Sequence, residues 1–139
     1  MGVKIIAETA FSHEGDFDYL LRQIDAAHKA QADIVKFQIF LSPATYYVPE
    51  HPALETIGKF VFSVAQWKQA LEHAAALGIE VLALPLEKEA LEFCMNHAAL
   101  VHYIELHSVC LNEVQMLEAL KRWEGKVVLG VGGYTLEEI

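Results

Sequence analysis

The sequence predicts an α/β fold built on a parallel sheet. Two observations predict it. Short, continuous apolar runs rich in β-branched residues recur along the chain, as strands covered on both faces require. Between them lie segments with helical spacing, so strand and helix alternate strictly. The stopping point then separates an open doubly wound sheet from part of a closed barrel. A domain rarely ends as a helix is being nucleated, and a whole (β/α)8 barrel takes roughly 200–250 residues or more. The 139 residues are therefore expected to form a single partial-barrel domain, residues 1–139, holding about the first five strands.

The elements follow in order. VKIIAE (3–8) is the first strand. Asp16 to Ala30 is a helix, with Phe17, Leu20, Leu21, Ile24 and Ala27 on one face. DIVKFQIF (33–40) is the second strand. Residues 42–60 hold three of the four prolines and are expected to form a long loop. Ser63 to Leu77 is a helix, opened by the S-x-x-Q capping box of Ser63 and Gln66 and ended by Gly78. IEVLALP (79–85) is the third strand and Glu87 to His97 the third helix. LVHYIELH (100–107) is the fourth strand. A fourth helix from Asn112, its expected cap, runs to Trp123. KVVLGVGG (126–133) is the fifth strand, and Thr135-x-x-Glu138 resembles another capping box.

Bulk properties exclude several classes. A net charge of −9 argues against nucleic-acid binding, which needs a basic stripe. No apolar run approaches the ~18 residues of a membrane span, and Glu8 interrupts the N-terminus too early for a secretory signal. Two cysteines, Cys94 and Cys110, with no C-x-x-C, fit a reduced, cytoplasmic protein and packing rather than reactivity. His28, His73 and His97 fall on helices as surface or boundary residues. His102, Glu105 and His107 bracket the end of the fourth strand and could form a small ligand cluster, packing being the commoner use. Glu87, Glu89 and Glu92 read as a solvated helix face.

In parallel α/β folds ligands bind at the carboxyl ends of the strands. Those ends carry Glu8 and His13, Lys36 and Gln38, Glu105 and Ser108, and the glycines at 130, 132 and 133. By strand alternation Ile34, Lys36 and Gln38 share one face and Val35, Phe37 and Ile39 the other. A lysine inside such a strand needs an anionic partner, either a carboxylate such as Glu8 or an anionic group of a substrate.

The stretches IIAETAFSHEGD, ADIVKFQ, LGIEVLALPLE and GKVVLGVGGYTLEEI together resemble the sialic acid synthase family, which includes N-acetylneuraminate synthases and spore-coat polysaccharide relatives. The family pattern runs IIAEIGxNHxG, AGADxVKFQ, GIxFxSTPFD, KIxSG and GKPxxLSTGMxTxEEI. The resemblance runs from Lys4 to Ile139 and covers the front half of the family's barrel. It implies condensation of phosphoenolpyruvate with an N-acylated amino sugar of the N-acetylmannosamine type, with phosphate release. It also implies a divalent manganese or magnesium ion whose ligands lie beyond residue 139. Glu8 and Lys36 match the family's catalytic positions. His13, Gln38 and Ser108 match substrate-binding positions, and Glu105 stands at another. The chain departs from the pattern at several places. Ser12 replaces asparagine, Leu84 threonine, Leu86 phenylalanine, Gly130 and Val131 a Ser-Thr pair, and Gly133 methionine. Glu105 replaces a second lysine, so that Lys36 is expected to pair with Glu105, or the ligand to differ, or the chemistry to be lost. A catalytically inactive half-barrel serving as a binding or assembly module is the alternative. With apolar edge strands on both sides, a homodimer or larger assembly is expected.

Overall fold

The structure is a computed structural model that describes residues 2–139. Five strands form one parallel sheet: β1 (Ile6–Glu8), β2 (Ile34–Ile39), β3 (Glu80–Pro85), β4 (Tyr103–Leu106) and β5 (Lys126–Leu129). Their spatial order is their order in the chain, β1-β2-β3-β4-β5. A doubly wound sheet reverses direction at a switch point. This sheet never reverses, which is the winding of a (β/α)8 barrel, here with two open edges.

The main helices α1 (Phe17–Lys29), α4 (Val64–Leu77), α5 (Lys88–Asn96) and α6 (Val114–Leu120) connect the strands. Their local signals are visible in the chain. Asp16 caps α1 by accepting from the Tyr19 amide. Ser63 and Gln66 close both halves of the capping box on α4, and Gly78 ends that helix at a φ of +72°. The core lies between helices and sheet. Val35, Phe37 and Ile39 of β2, Val81 and Ala83 of β3, and Ile104 and Leu106 of β4 meet Leu20, Ile24, Trp67, Leu71, Leu91 and Cys94 there.

Strand register sorts the other face. Glu8 pairs with Lys36, Lys36 with Leu82, Leu82 with Tyr103 and Tyr103 with Lys126. Paired residues of a parallel sheet share a face, so Glu8, Lys36, Gln38, Leu82, Leu84, Tyr103 and Glu105 line the concave side of the barrel wall. At the amino-terminal end of that wall, Tyr103 donates to Glu80 at 2.9 Å, and Lys4 bonds both of them. Lys126 lies over the Tyr103 ring at 5.3 Å.

Beyond shorter element ends, with β1 beginning at Ile6, α6 ending at Leu120 and β5 ending at Leu129, the structure differs from the sequence-based expectation in four places. Residues 42–60 are not irregular throughout: α2 (Pro43–Tyr46) and α3 (Leu54–Gly58) form there. Pro43 starts the first of them, where a missing amide hydrogen costs nothing. Asn112 does not cap α6. Glu113 takes that position without a side-chain cap bond, and Asn112 donates to the Tyr134 hydroxyl at 3.0 Å. A 3-10 turn, Ser108–Cys110, takes up chain between β4 and α6. Thr135 and Glu138 make one half of the expected capping box, with the Thr135 amide 2.8 Å from the carboxylate, while the Glu138 amide donates to the Thr135 carbonyl and residues 136–138 form a turn rather than a helix.

Candidate functional site

β2 builds the site. Its outward residues are fully buried under α1 and α4, so the strand cannot slip without exposing them. That fixes Lys36 and Gln38 on the concave face. β1 is short and lies at the edge, and it brings Glu8 beside them. The Gln38 amide donates to Glu8 Oε1 at 3.0 Å. The Lys36 ammonium is 3.4 Å from Glu8 Oε1, 3.0 Å from Glu105 Oε2 and 3.1 Å from Glu105 Oε1. The Lys36 and Glu105 side chains are each 14 % exposed, against 42 % for Glu8. Glu105 comes from β4, two strands away. The bridge therefore crosses β3, where Leu82 supplies no polar group. One ammonium faces two carboxylates, so the pairing expected of Lys36 is made twice over.

An apolar cap sits further along the same strands. Phe40, Leu84 and Leu86 continue the concave face by alternation, and Phe11, Tyr46, Tyr47, Ile57 and Val61 pack on them. The excursion carrying α2 and α3 thus folds over the carboxyl ends of β2 and β3. A cleft of ≈ 840 Å³ lies beside this cap, between α2, the start of α5 and the 3-10 turn, lined by Tyr46, Leu86, Glu87, Cys110 and Met116 among others. It does not reach the Lys36 cluster.

His13 and Ser108 stand apart from the ion cluster. His13 is 1 % exposed and packs 4.5 Å from the Phe62 ring and 6.4 Å from the Trp67 ring, within the layer that faces the helices. Its Nδ1 accepts from the Gly15 amide at 3.1 Å, and its Nε2 has no partner. Burial pushes its pKa from 6.5 down to about 4, so the ring is neutral. Gly15 is required by the same turn. Its φ is +84°, and a Cβ there would lie 2.2 Å from the Lys59 carbonyl oxygen. Ser108 opens the 3-10 turn beyond β4, against the glycine-rich end of β5. A Cβ on Gly130 would lie 3.0 Å from the Ser108 amide nitrogen, and one on Gly132 3.9 Å from its hydroxyl.

The two side-chain clusters fare differently: the histidines flanking the end of β4 follow the commoner, non-ligand use, and the acidic run departs from its expected solvated face. His102 does not join a ligand group: its Nδ1 accepts from the Val81 amide at 3.1 Å. Among the described residues no three His, Cys, Asp or Glu come together as metal ligands. Glu87 is not on a solvated face. It is 5 % exposed, caps α5 by accepting from the Glu89 and Ala90 amides, and accepts from the Leu41 amide at 3.0 Å. A carboxylate directly before a helix start, after a strand ending in proline, is the signal that could have shown this cap. Cys94 and Cys110 are buried free thiols, both pushed up by burial. No helix among the described residues is long and apolar enough to cross a membrane.

Against this geometry, comparison with known proteins is decisive. A family model described as the NeuB family matches residues 23–139. The chain belongs to the NeuB family. It is 27% identical over 149 aligned residues to the N-acetylneuraminate-9-phosphate synthase of Drosophila melanogaster, covering 99% of this chain and 40% of that protein. It is 35% identical over 89 residues to the spore coat polysaccharide biosynthesis protein SpsE of Bacillus subtilis, covering 64% of this chain and 24% of that one. The crystal structure of the N-acetylneuraminic acid synthetase of Leptospira borgpetersenii superposes with a TM-score of 0.89 at 25% identity, over 100% of this chain and 48% of that chain. This NeuB-family chain therefore spans less than half the length of these relatives, and its five strands are part of a (β/α)8 barrel.

The buried neutral His13 predicts a pH effect. The unfolded chain binds a proton near 6.5 and the folded chain only near 4. Folding is thus unaffected by this group above about 6.5 and loses stability as the pH falls from 6.5 towards 4. Urea unfolding at pH 7 and pH 4.5 should show a smaller pH-dependent loss in His13→Asn than in the wild type. Equal losses would contradict a buried, neutral ring.

Proposed function

We propose that residues 1–139 form one domain that supplies the donor-binding side of a synthase condensing phosphoenolpyruvate with an N-acylated amino sugar. The observation that carries the reading is the set of Glu8, Lys36 and Gln38, aligned on neighbouring strands at the carboxyl ends of a NeuB-family barrel wall. The relatives named as synthases match this chain along almost all of its length. Lys36 would hold an anionic oxygen of the donor's phosphate or carboxylate, since an ammonium in a partly buried site binds such groups strongly. Glu8 and Gln38 position that ammonium, and the Ser108 hydroxyl is a further donor at the rim. His13 acts through the backbone, shaping the turn that follows Glu8.

A divalent manganese or magnesium ion would supply Lewis-acid polarisation of the sugar's aldehyde. The described residues gather no three ligands for it, so by themselves they do not fit such an ion. The substrates are the donor and the amino sugar, and the acidic chain has no basic stripe for nucleic acid.

The open edges support association as well. Val127, Val128 and Leu129 of β5 are 38–48 % exposed and Ile6 of β1 is 47 % exposed, which favours pairing with a further strand from a second copy or another part of the barrel. A second reading, a binding or assembly module without turnover, is favoured by the second carboxylate on Lys36.

The test is phosphate release from phosphoenolpyruvate by a complete barrel in which residues 1–139 supply the first five strands. Release should require both an N-acylated mannosamine and manganese or magnesium, and Lys36→Ala should lower it by about 100-fold or more. No release with any amino sugar would favour the module reading, and unchanged release in Lys36→Ala would remove Lys36 from the site. For a polypeptide of residues 1–139 alone, light scattering should show a dimer or larger; a stable monomer of that polypeptide would count against edge pairing.

A further inference from the structure

On the concave face of the sheet, the cations already have partners. Lys4 is bonded by Glu80 and Tyr103, and Lys126 rests over the Tyr103 ring at the opposite end of the wall from the candidate site. Lys36 is the cation at the carboxyl ends of the strands. Both Glu105 carboxylate oxygens lie within 3.1 Å of its ammonium. Glu8 takes a third position at 3.4 Å and is itself held by Gln38. Glu105 and Lys36 are equally shielded, at 14 % exposed each, so their attraction is screened less than that of a surface pair.

An ammonium has three hydrogens to donate. Here Glu105 accepts one of them, its second oxygen and Glu8 flank the ammonium from two sides, and one negative charge is left in excess. A phosphate or carboxylate approaching Lys36 would meet that excess charge at short range. It would also compete with a partner already in place, whose chain entropy is spent on folding. Gln38 adds to the selectivity. Its amide holds Glu8 in place, whereas among the described residues the hydrogen bond of the Glu105 side chain is the one from Lys36, so Glu105 is the partner that can be displaced.

We infer that Glu105 is a specificity-determining counter-ion, whose carboxylate occupies the position on Lys36 that an anionic ligand oxygen would take. An anion then reaches Lys36 only by displacing Glu105 or once Glu105 is neutralised by another cation. The inference rests on the reading of Lys36 as the anion-holding group, and it deepens that reading by naming what controls the group. Loss of synthase activity would leave it standing, because it concerns only whether Lys36 is open.

Calorimetric titration of the chain with inorganic phosphate, and separately with phosphoenolpyruvate, tests it. Glu105→Gln keeps the side chain's length and an oxygen for Lys36 while removing the charge. Phosphate should bind Glu105→Gln at least about tenfold more tightly than wild type. The gain should vanish in the double variant Lys36→Met/Glu105→Gln. Equal phosphate affinity in wild type and Glu105→Gln overturns the inference, as does a gain that persists without Lys36. The wild-type protein gives an independent reading should the variant not fold. Binding of inorganic phosphate to wild type with Kd tighter than about 100 µM, lost in Lys36→Met, would also overturn it. The synthase reading fails on a different result, the absence of phosphate release from phosphoenolpyruvate.

Discussion

Lys36 is a charged side chain on a strand whose other face is sealed under helices. An ammonium in that position needs negative partners, and they come from strands on either side: Glu8 from β1 and Glu105 from β4. The parallel register makes this possible. It sets Glu8 level with Lys36, and it places Glu105 two residues beyond Tyr103, which lies level with Leu82 and so with Lys36. A one-residue slip of β2 would turn Lys36 into the Trp67 layer and expose Phe37. The ion triad and the apolar core therefore hold each other in register, and the concave face inherits its chemistry from that arrangement.

The loops depend on the same frame. Thr9 continues the β1 ladder by donating its amide to the Lys36 carbonyl at 3.0 Å, and the turn after it buries His13 beneath Phe62 and Trp67. Gly15 lets that turn press against the Lys59 carbonyl, which ties the first βα loop to the end of the α2–α3 excursion. On the far side, Glu87 joins the end of β2 to the start of α5 through the Leu41, Glu89 and Ala90 amides. Two βα loops are thus anchored by buried polar side chains rather than by extra secondary structure. The apolar cap around Phe40, Leu84 and Leu86 continues the concave face beyond the polar cluster.

Much of this was legible in the sequence because it rests on short-range rules. Alternation in DIVKFQIF assigned Lys36 and Phe37 to opposite faces, and the Ser63 capping box and Gly78 marked α4 at both ends. Strict βα alternation showed a parallel sheet, while the sequential order that separates a barrel wall from a doubly wound sheet is seen in the structure. What the sequence did not show depends on distant segments meeting. That His13 turns into the aromatic layer is decided by Phe62 and Trp67, some fifty residues away. Glu87 resembles its solvated neighbours in composition, and only the approach of Leu41 explains its burial. Asn112 is a good cap by residue type, yet the 3-10 turn shifts the helix start and leaves Asn112 to Tyr134. The contact of Lys36 with Glu105 was likewise tertiary, since it depends on the reach of Glu105 across β3.

The most direct measurement is a double-mutant cycle on folding stability between Lys36→Met and Glu105→Gln. A bridge this shielded, with both carboxylate oxygens near one ammonium, should give a favourable coupling energy of at least about 1 kcal/mol. A coupling near zero would mean that the two side chains do not depend on each other, and the account of the concave face as an ion triad spanning β1 to β4 would be contradicted.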